Sequence, residues 1–152
     1  MDERALIEKL LRIEALHAGA TTPGERTAAE NAIARIRARL KEVEALDPPL
    51  EYRFSLPDPW KRKLFLALAR RYGLQPYRRW GQRHASVMIK VPARFVDETL
   101  WPAFIALSET LDAFLADVTT RVIAETIHKD ASEAQEMPET KGLPGPRRSG
   151  DG

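Results

Sequence analysis

Two consecutive prolines, Pro48 and Pro49, separate parts of the chain that have different hydrophobic periods. Before them, apolar residues recur every three or four positions, which is typical of amphipathic helices. Directly after them, Leu50, Tyr52 and Phe54 alternate with polar residues, which is the period of a half-buried strand. Because proline lacks the backbone N–H group and breaks a helix interior, no helix can continue through this point. The sequence therefore predicts an α+β fold.

Residues 1–47 predict an N-terminal hairpin of two helices. The first helix is expected from about Glu3 to Ala18, with Gly19 ending it, because glycine turns left-handed at low cost. Its apolar stripe consists of Leu6, Leu10, Ile13 and His17.

Thr22, Pro23 and Glu25 together are the strongest helix-start signal in the sequence. Threonine caps free backbone amides, proline suits the first helical position, and a glutamate three residues after the threonine completes a capping box. The second helix is expected to follow and to end before Asp47.

Residues 50–92 predict a small antiparallel sheet and one helix. The helix starts at an Asp58 cap and ends at Gly73. Two β-rich runs follow, over 75–80 and 85–91, which predict a basic β-hairpin beside the strand at 50–55.

Residues 97–129 predict a long C-terminal helix with Pro102 in its first turn. Its apolar seam runs over residues 104–122 and is longer than the small sheet can cover, so its second half must lie on the helical hairpin or on another chain. Residues 1–129 are thus expected to form a single domain. Residues 130–152 are rich in Pro, Gly, Ser and charge and predict a disordered tail.

Charge is strongly segregated along the chain, although the net charge is only +2. Residues 1–58 carry nine basic and eleven acidic side chains, and residues 59–94 carry ten basic and no acidic ones. Residues 95–139 carry two basic and ten acidic ones. The basic block either faces an anionic partner or is neutralised by carboxylates elsewhere in the chain.

The sequence gives little indication of catalysis. It has no cysteine, and its histidines, His17, His84 and His128, fall on three separate predicted elements, so we expect no metal site and no cofactor. No phosphate-binding glycine loop is present, and Asp58 lacks the second carboxylate that a metal-dependent nuclease motif requires near Lys90. No signal peptide or membrane span is apparent. We therefore expect a cytoplasmic protein that is not an enzyme.

The basic block supplies the candidate site. Arginine side chains suit phosphate groups, and exposed aromatic rings stack on unpaired bases, so we expect DNA or RNA as the partner. Two structural explanations compete: cations at a helix C-terminus favour its dipole, and basic side chains protect sheet edges. The candidate nucleic-acid-binding residues are Lys61, Arg62, Lys63, Arg70, Arg71, Tyr77, Arg78, Arg79, Trp80, Arg83 and Lys90. The alternative is a protein-interaction or homo-oligomeric module that uses the 104–122 seam.

Two stretches of the chain resemble a known family. They are LIEKLLRIEALHAGATTPGERTAAENAIARI, over residues 6–36, and DPWKRKLFLALARRYGLQPYRRWGQRHASVMIKVPARFVDETLWPAFIALSETL, over residues 58–111. The resemblance is to a bacterial and phage family classed as a domain of unknown function, and it covers residues 5–125. It implies a bacterial or phage cytoplasmic origin and a helical hairpin followed by a small α+β unit. It supplies no catalytic or metal-binding residues.

Overall fold

The computed structural model describes residues 1–19 and 26–139 and confirms the α+β fold. The chain divides into two compact units, residues 1–119 and 120–152. The elements, in chain order, are helix α1 (Glu3–His17), helix α2 (Arg26–Leu46), strand β1 (Leu50–Ser55), helix α3 (Pro59–Arg71), strand β2 (Ser86–Val91), helix α4 (Ala93–Phe95), a π-helical segment (Val96–Leu100) and helix α5 (Trp101–Thr126).

Helix α1 forms where the apolar period predicted it. The Asp2 carboxylate accepts the N–H of Ala5 at 2.8 Å, and Gly19 follows the helix with a φ of 76°. Arg39 of α2 donates to the main-chain oxygens of His17 and Ala18, each at 3.3 Å, and so ties the end of α1 to α2. The predicted start signal of the second helix, Thr22, Pro23 and Glu25, lies outside the described residues.

Strands β1 and β2 form an antiparallel two-stranded sheet, in register from Leu50 opposite Val91 to Ser55 opposite Ser86. Alternate residues face the core, where the centre of the Phe54 ring lies 4.6 Å from the centre of the Phe65 ring of α3. The buried side chains of the inner sheet face are Phe54, Val87, Ile89 and Val91. The core of the first unit therefore lies under one face of the sheet.

Helix α3 begins and ends at the predicted residues. The Asp58 carboxylate accepts the N–H of Trp60 at 2.9 Å, and Pro59 occupies the first turn. After the helix, Gly73 takes a φ of 85° and Leu74 donates its N–H to the carbonyl of Ala69 at 2.9 Å. This is a Schellman-type ending, which satisfies carbonyl groups at the helix C-terminus.

The predicted strand over residues 75–80 is wrong except at one position. Tyr77 alone pairs with Met88, with backbone hydrogen bonds of 2.9 and 2.8 Å. In an antiparallel ladder every second pair is hydrogen-bonded, so the next hydrogen-bonded pair would join Arg79 to Ser86. Instead, Arg79 donates its N–H to the Gln82 side chain at 2.9 Å, and the Arg78 guanidinium donates to the carbonyl of Ser86 at 3.2 Å. Side chains thus replace the backbone partners that the period of the sequence suggested.

The long helical region starts earlier than expected, at Ala93, and contains the π-helical segment before Pro102. A proline ring clashes with the carbonyl four residues earlier in an α-helix. The N–H of Trp101 bonds to the carbonyl of Val96, five residues back, as in a π-helix. In this wider turn the chain does not need the hydrogen bond to the carbonyl four residues earlier that Pro102, which has no N–H, cannot donate. Pro102 is therefore tolerated inside the helical region rather than at its start.

The apolar seam of the long helix is largely used inside the first unit. Phe104 and Leu107 are buried in its core, whereas Phe114 and Val118 are half-buried. The Met1 amino group lies 3.2 Å from the Asp117 carboxylate, so this part of α5 lies beside the start of α1.

The second unit is described by itself, over residues 120–139. It holds the end of α5, and residues 130–139 contain no helix or strand. Residues 140–152, the rest of the predicted tail, lie outside the described residues.

Candidate functional site

The outer face of the sheet is polar and carries most of the candidate site. We call this surface the sheet face and define it by the residues whose side chains lie on the side opposite Phe54, of which Met88 is buried under the Gln82 side chain. Its members are Glu51 and Arg53 of β1, Met88 and Lys90 of β2, and Tyr77 and Arg79 of the segment beside β2. Three of these side chains are basic and one is acidic, so the face has a net positive charge.

Glu51 is the anchor of the sheet face. Its carboxylate accepts a hydrogen bond from Arg79 Nε at 3.0 Å, a second from the same guanidinium, and one from the Tyr77 hydroxyl. These hydrogen bonds, from Arg79 first and Tyr77 second, lower the pKa of Glu51 from 4.5 to about 2. The same contacts raise the pKa values of Tyr77 and Arg79. One carboxylate therefore fixes an aromatic ring and a cation at the edge of the sheet.

Residues 78–85, the Trp80 loop, form a hydrogen-bonded connection into β2. Gln82 donates its N–H to the carbonyl of Arg79 at 3.2 Å, and Gly81 between them has a φ of 82°. The Arg78 guanidinium donates to the carbonyls of His84, at 2.7 Å, and Ser86, at 3.2 Å. The loop is thus held by its own polar groups at several points, although it contains no regular strand.

Trp80 occupies the turn of this loop and is fully exposed. Arg83 of the loop and Lys90 of the sheet face are also exposed, and neither makes an ion pair or a hydrogen bond through its side chain within residues 1–19 and 30–139. An exposed indole ring can stack on a planar ligand while an exposed cation such as Arg83 of the same loop holds its negative groups.

A groove of about 540 Å³ lies beside the sheet face. It is lined by Tyr77, Arg79 and Lys90, and its opposite side is formed by α2 and the turn after α3. The full lining is Leu40, Glu44, Gly73, Leu74, Gln75, Tyr77, Arg79 and Lys90. The structure therefore brings three of the predicted residues together at a concave surface.

The predicted cations of α3 are mostly engaged by their own chain. Lys61 lies 3.2 Å from the carboxylate of Asp112, and Arg62 donates to the carbonyl of Leu56 at 2.8 Å. Lys63 lies 5.7 Å from the centre of the Trp60 ring. Asp112 of α5 thus neutralises Lys61. This agrees with the alternative that carboxylates elsewhere in the chain neutralise part of the basic block.

Arg71 and Arg70 end α3 in different environments. Arg71 Nε donates to the buried Glu14 carboxylate at 2.8 Å, so this guanidinium is part of the fold. Arg70 is exposed, and in the described part of the chain its side chain has no ion pair or hydrogen bond.

Sequence reasoning missed three contributors to this surface. Arg53 is exposed on the sheet face, Glu51 orients Arg79 and Tyr77, and Gln82 holds the loop. The alternation of β1 could have identified the first two, because Glu51 and Arg53 fall on the side opposite Phe54. The role of Gln82 depends on a turn geometry that no pattern in the sequence signals.

Residues 1–19 and 26–139 contain no group of three histidine or carboxylate side chains arranged for a metal ion. Among the same residues, no helix combines the length and the apolar character needed to cross a membrane.

Comparisons with known proteins give no independent assignment, so the family resemblance stays an expectation. No family model, no curated protein and no solved structure matches this chain.

Proposed function

We propose that the chain binds single-stranded nucleic acid through the Trp80 loop and the sheet face. The observation that carries the proposal is the full exposure of Trp80 on a hydrogen-bonded turn. Exposing a large aromatic surface to water is unfavourable, by about 25 cal/mol per Å² of apolar area, and a partner that covers the ring recovers this free energy. The turn also limits the entropy lost on binding, because the loop is already ordered.

The charges around Trp80 support a polyanionic partner. Arg83 and Arg53 are exposed and form no ion pair with a carboxylate within the described residues, whereas Arg79 pairs with Glu51 and Lys90 also interacts with it electrostatically. Each cation that meets a phosphate releases counterions, whereas base stacking on an aromatic ring is sequence-tolerant. Together these features favour an unpaired strand over a duplex, whose bases are not available for stacking.

A fluorescence titration tests the proposal. A variant with Trp60 and Trp101 replaced by Phe keeps Trp80 as the only indole, and oligothymidylate is expected to quench its emission at low salt. In the otherwise unchanged protein, with the fluorescence anisotropy of a dye-labelled oligothymidylate as the readout, Trp80→Ala should weaken binding by roughly tenfold, because stacking is worth about 1–3 kcal/mol per base. The matched control is Trp60→Ala, which removes another exposed indole beside a lysine. Unchanged affinity in Trp80→Ala would reject the proposal.

A second candidate function, interaction with a protein partner or a second copy, rests on a different observation. In the second unit, Val122 is 52% exposed and Ile127 is 77% exposed. Val122 ends the apolar seam of α5 and Ile127 directly follows the helix. Exposed apolar side chains that form a patch are typical of surfaces that other chains cover. Light scattering after size exclusion tests this candidate: Val122→Glu should dissociate an oligomer, and a monomeric wild-type chain would remove the homo-oligomer from consideration.

A further inference from the structure

A second basic pocket lies on the other side of the segment that carries Tyr77. It is lined by Arg70 at the end of α3, Arg78 of the Trp80 loop, and Ser86 at the start of β2. Its remaining walls are apolar and come from α3, β2 and the segment between them. The full lining is Leu66, Arg70, Pro76, Tyr77, Arg78, Ser86 and Val87. This described lining contains two guanidinium groups and no carboxylate.

The two arginines differ in how far they are committed to the fold. Arg78 uses Nε and one Nη2 hydrogen for the carbonyls of Ser86 and His84, so its Nη1 group keeps its hydrogens. Arg70 is exposed, and its side chain makes no hydrogen bond or ion pair to the residues that the structure describes. The pocket thus offers one fixed donor group and one adjustable donor group, which suits an anion with several oxygens.

The C-terminus of α3 would ordinarily oppose an anion here, because free carbonyl oxygens carry partial negative charge. In this helix the last four carbonyls are all occupied. Those of Leu68, Ala69 and Arg70 accept backbone N–H groups at 3.1, 2.9 and 3.0 Å. That of Arg71 accepts two hydrogen bonds from the Arg37 guanidinium, at 3.1 and 2.9 Å. The carbonyl oxygens at this helix end are therefore satisfied, and the positive charge of Arg37 beside the Arg71 carbonyl offsets part of their partial negative charge.

The size of the pocket limits what it can hold. Its volume is about 150 Å³, less than a third of that of the groove beside the sheet face. A phosphate group fits such a space, whereas a whole nucleotide does not. Apolar walls such as Leu66 and Val87 strengthen the attraction between a guanidinium and a phosphate, because they lower the local dielectric constant.

We infer that the Arg70–Arg78 pocket binds a phosphate group of the nucleic acid whose base stacks on Trp80. This inference rests on the proposed function and adds a specific site to it. Arg78 and Trp80 are two positions apart, so their Cα atoms are at most about 7 Å apart. A strand that places a base on the indole therefore passes close to the pocket. The phosphate can be an internal phosphodiester or a terminal phosphate, since both present the same oxygens.

The test uses Arg70→Gln, because the Arg70 side chain makes no hydrogen bond or ion pair to the described residues. Replacing Arg78 would remove the hydrogen bonds that hold the loop. Binding of oligothymidylate at low salt is expected to weaken roughly fivefold to tenfold. The matched control is Arg12→Gln, an exposed arginine on α1 that likewise makes no side-chain contact within the described ranges. Equal losses in both variants would show a general charge effect and overturn the inference.

Two further arms identify the source of the phosphate and separate the two proposals. Oligothymidylate with and without a 5′-phosphate, and with internal methylphosphonate linkages, shows which phosphate Arg70 senses. Inorganic phosphate should shift the Nε–H resonances of Arg70 and Arg78 more than chloride does at equal ionic strength. If Trp80→Ala weakens binding while Arg70→Gln does not, the pocket inference fails and the proposed function stands. If Arg70→Gln alone weakens binding, the pocket stands and stacking on Trp80 fails.

Discussion

Arg71 Nε donates to the buried carboxylate of Glu14 at 2.8 Å, across 57 positions of the chain. The contact joins the last turn of α3 to α1, and the Arg71 carbonyl also accepts hydrogen bonds from Arg37 of α2. Three helices of the first unit therefore meet at one residue of the basic block. A cation predicted from the sequence to face a ligand instead holds these helices together.

Removing one partner of this pair should cost more stability than removing both. Arg71→Met leaves a buried carboxylate without its counter-charge, and we expect a loss of about 3 kcal/mol in the free energy of unfolding. Glu14→Leu should cost less, because the partly exposed arginine can turn towards water. The double variant should be more stable than Arg71→Met alone. Urea denaturation of the four proteins measures the cycle, and additive losses would contradict a coupled pair.

The anchor of the sheet face should depend on pH in a defined direction. Hydrogen bonds from Arg79 and Tyr77 hold the pKa of Glu51 at about 2, below its ordinary value of 4.5. A lowered carboxyl pKa adds stability above the ordinary value, and that contribution is lost as the pH falls from 4.5 through about 2. The side-chain resonances of Arg79 and Tyr77, followed by NMR from pH 6 downwards, should report their release with a midpoint near 2, the pKa of Glu51 in the folded protein.

The matched control for this titration is Glu51→Gln. The amide side chain of this variant carries no charge and does not titrate. At pH 6 the resonances of Arg79 and Tyr77 should therefore differ from those of the wild-type protein, and they should show no transition at lower pH that is due to residue 51. A midpoint near 4.5 in the wild-type protein would mean that the contacts with Arg79 and Tyr77 do not form in solution.

Gly81 should control how Trp80 is presented. Its φ of 82° lies in the left-handed region, and a Cβ atom there would meet nothing within 4 Å, so the cost of a side chain is conformational rather than steric. Gly81→Ala is expected to lose about 1 kcal/mol of stability and to increase the mobility of the Trp80 ring. Gly81→Asn should recover part of the loss, because asparagine tolerates this conformation. Urea denaturation and time-resolved anisotropy of Trp80 measure both effects, and equal behaviour of the two variants would contradict the explanation.

The elements that depend on local signals were predictable from the sequence. The Asp58 cap, the ending at Gly73 and the alternation of β1 each act through neighbouring residues, and each was found where expected. The fold class followed from the same signals. Errors arose where a longer-range or side-chain contact decided the outcome, as at Pro102, where a π-helical segment accommodates the proline.

The candidate site was predictable only as a stretch of sequence. The period of residues 75–80 suggested a strand, but the Arg78 and Gln82 side chains took the positions of backbone partners. Charge counts also could not show that Arg71 and Lys61 pair with Glu14 and Asp112, since these carboxylates lie far away along the chain. Trp80 was among the candidates predicted from the sequence, but its full exposure became visible only in the structure.

Salt dependence distinguishes cations that meet phosphates from cations that stabilise the fold. For single strands, the logarithm of the binding constant falls with the logarithm of salt concentration by roughly 0.7 for each phosphate neutralised. Arg83→Gln should reduce this slope by about 0.7, because its side chain is exposed and makes no ion pair in the part of the chain that the structure describes. Lys90→Gln should reduce the slope by less, because Lys90 also interacts with the Glu51 carboxylate on the neighbouring strand. Lys61→Gln removes the same charge from a residue paired with Asp112, and it should leave the slope unchanged. Fluorescence titrations at several salt concentrations measure all three, and an equal reduction in Lys61→Gln would mean that binding follows net charge and not the surface around Trp80.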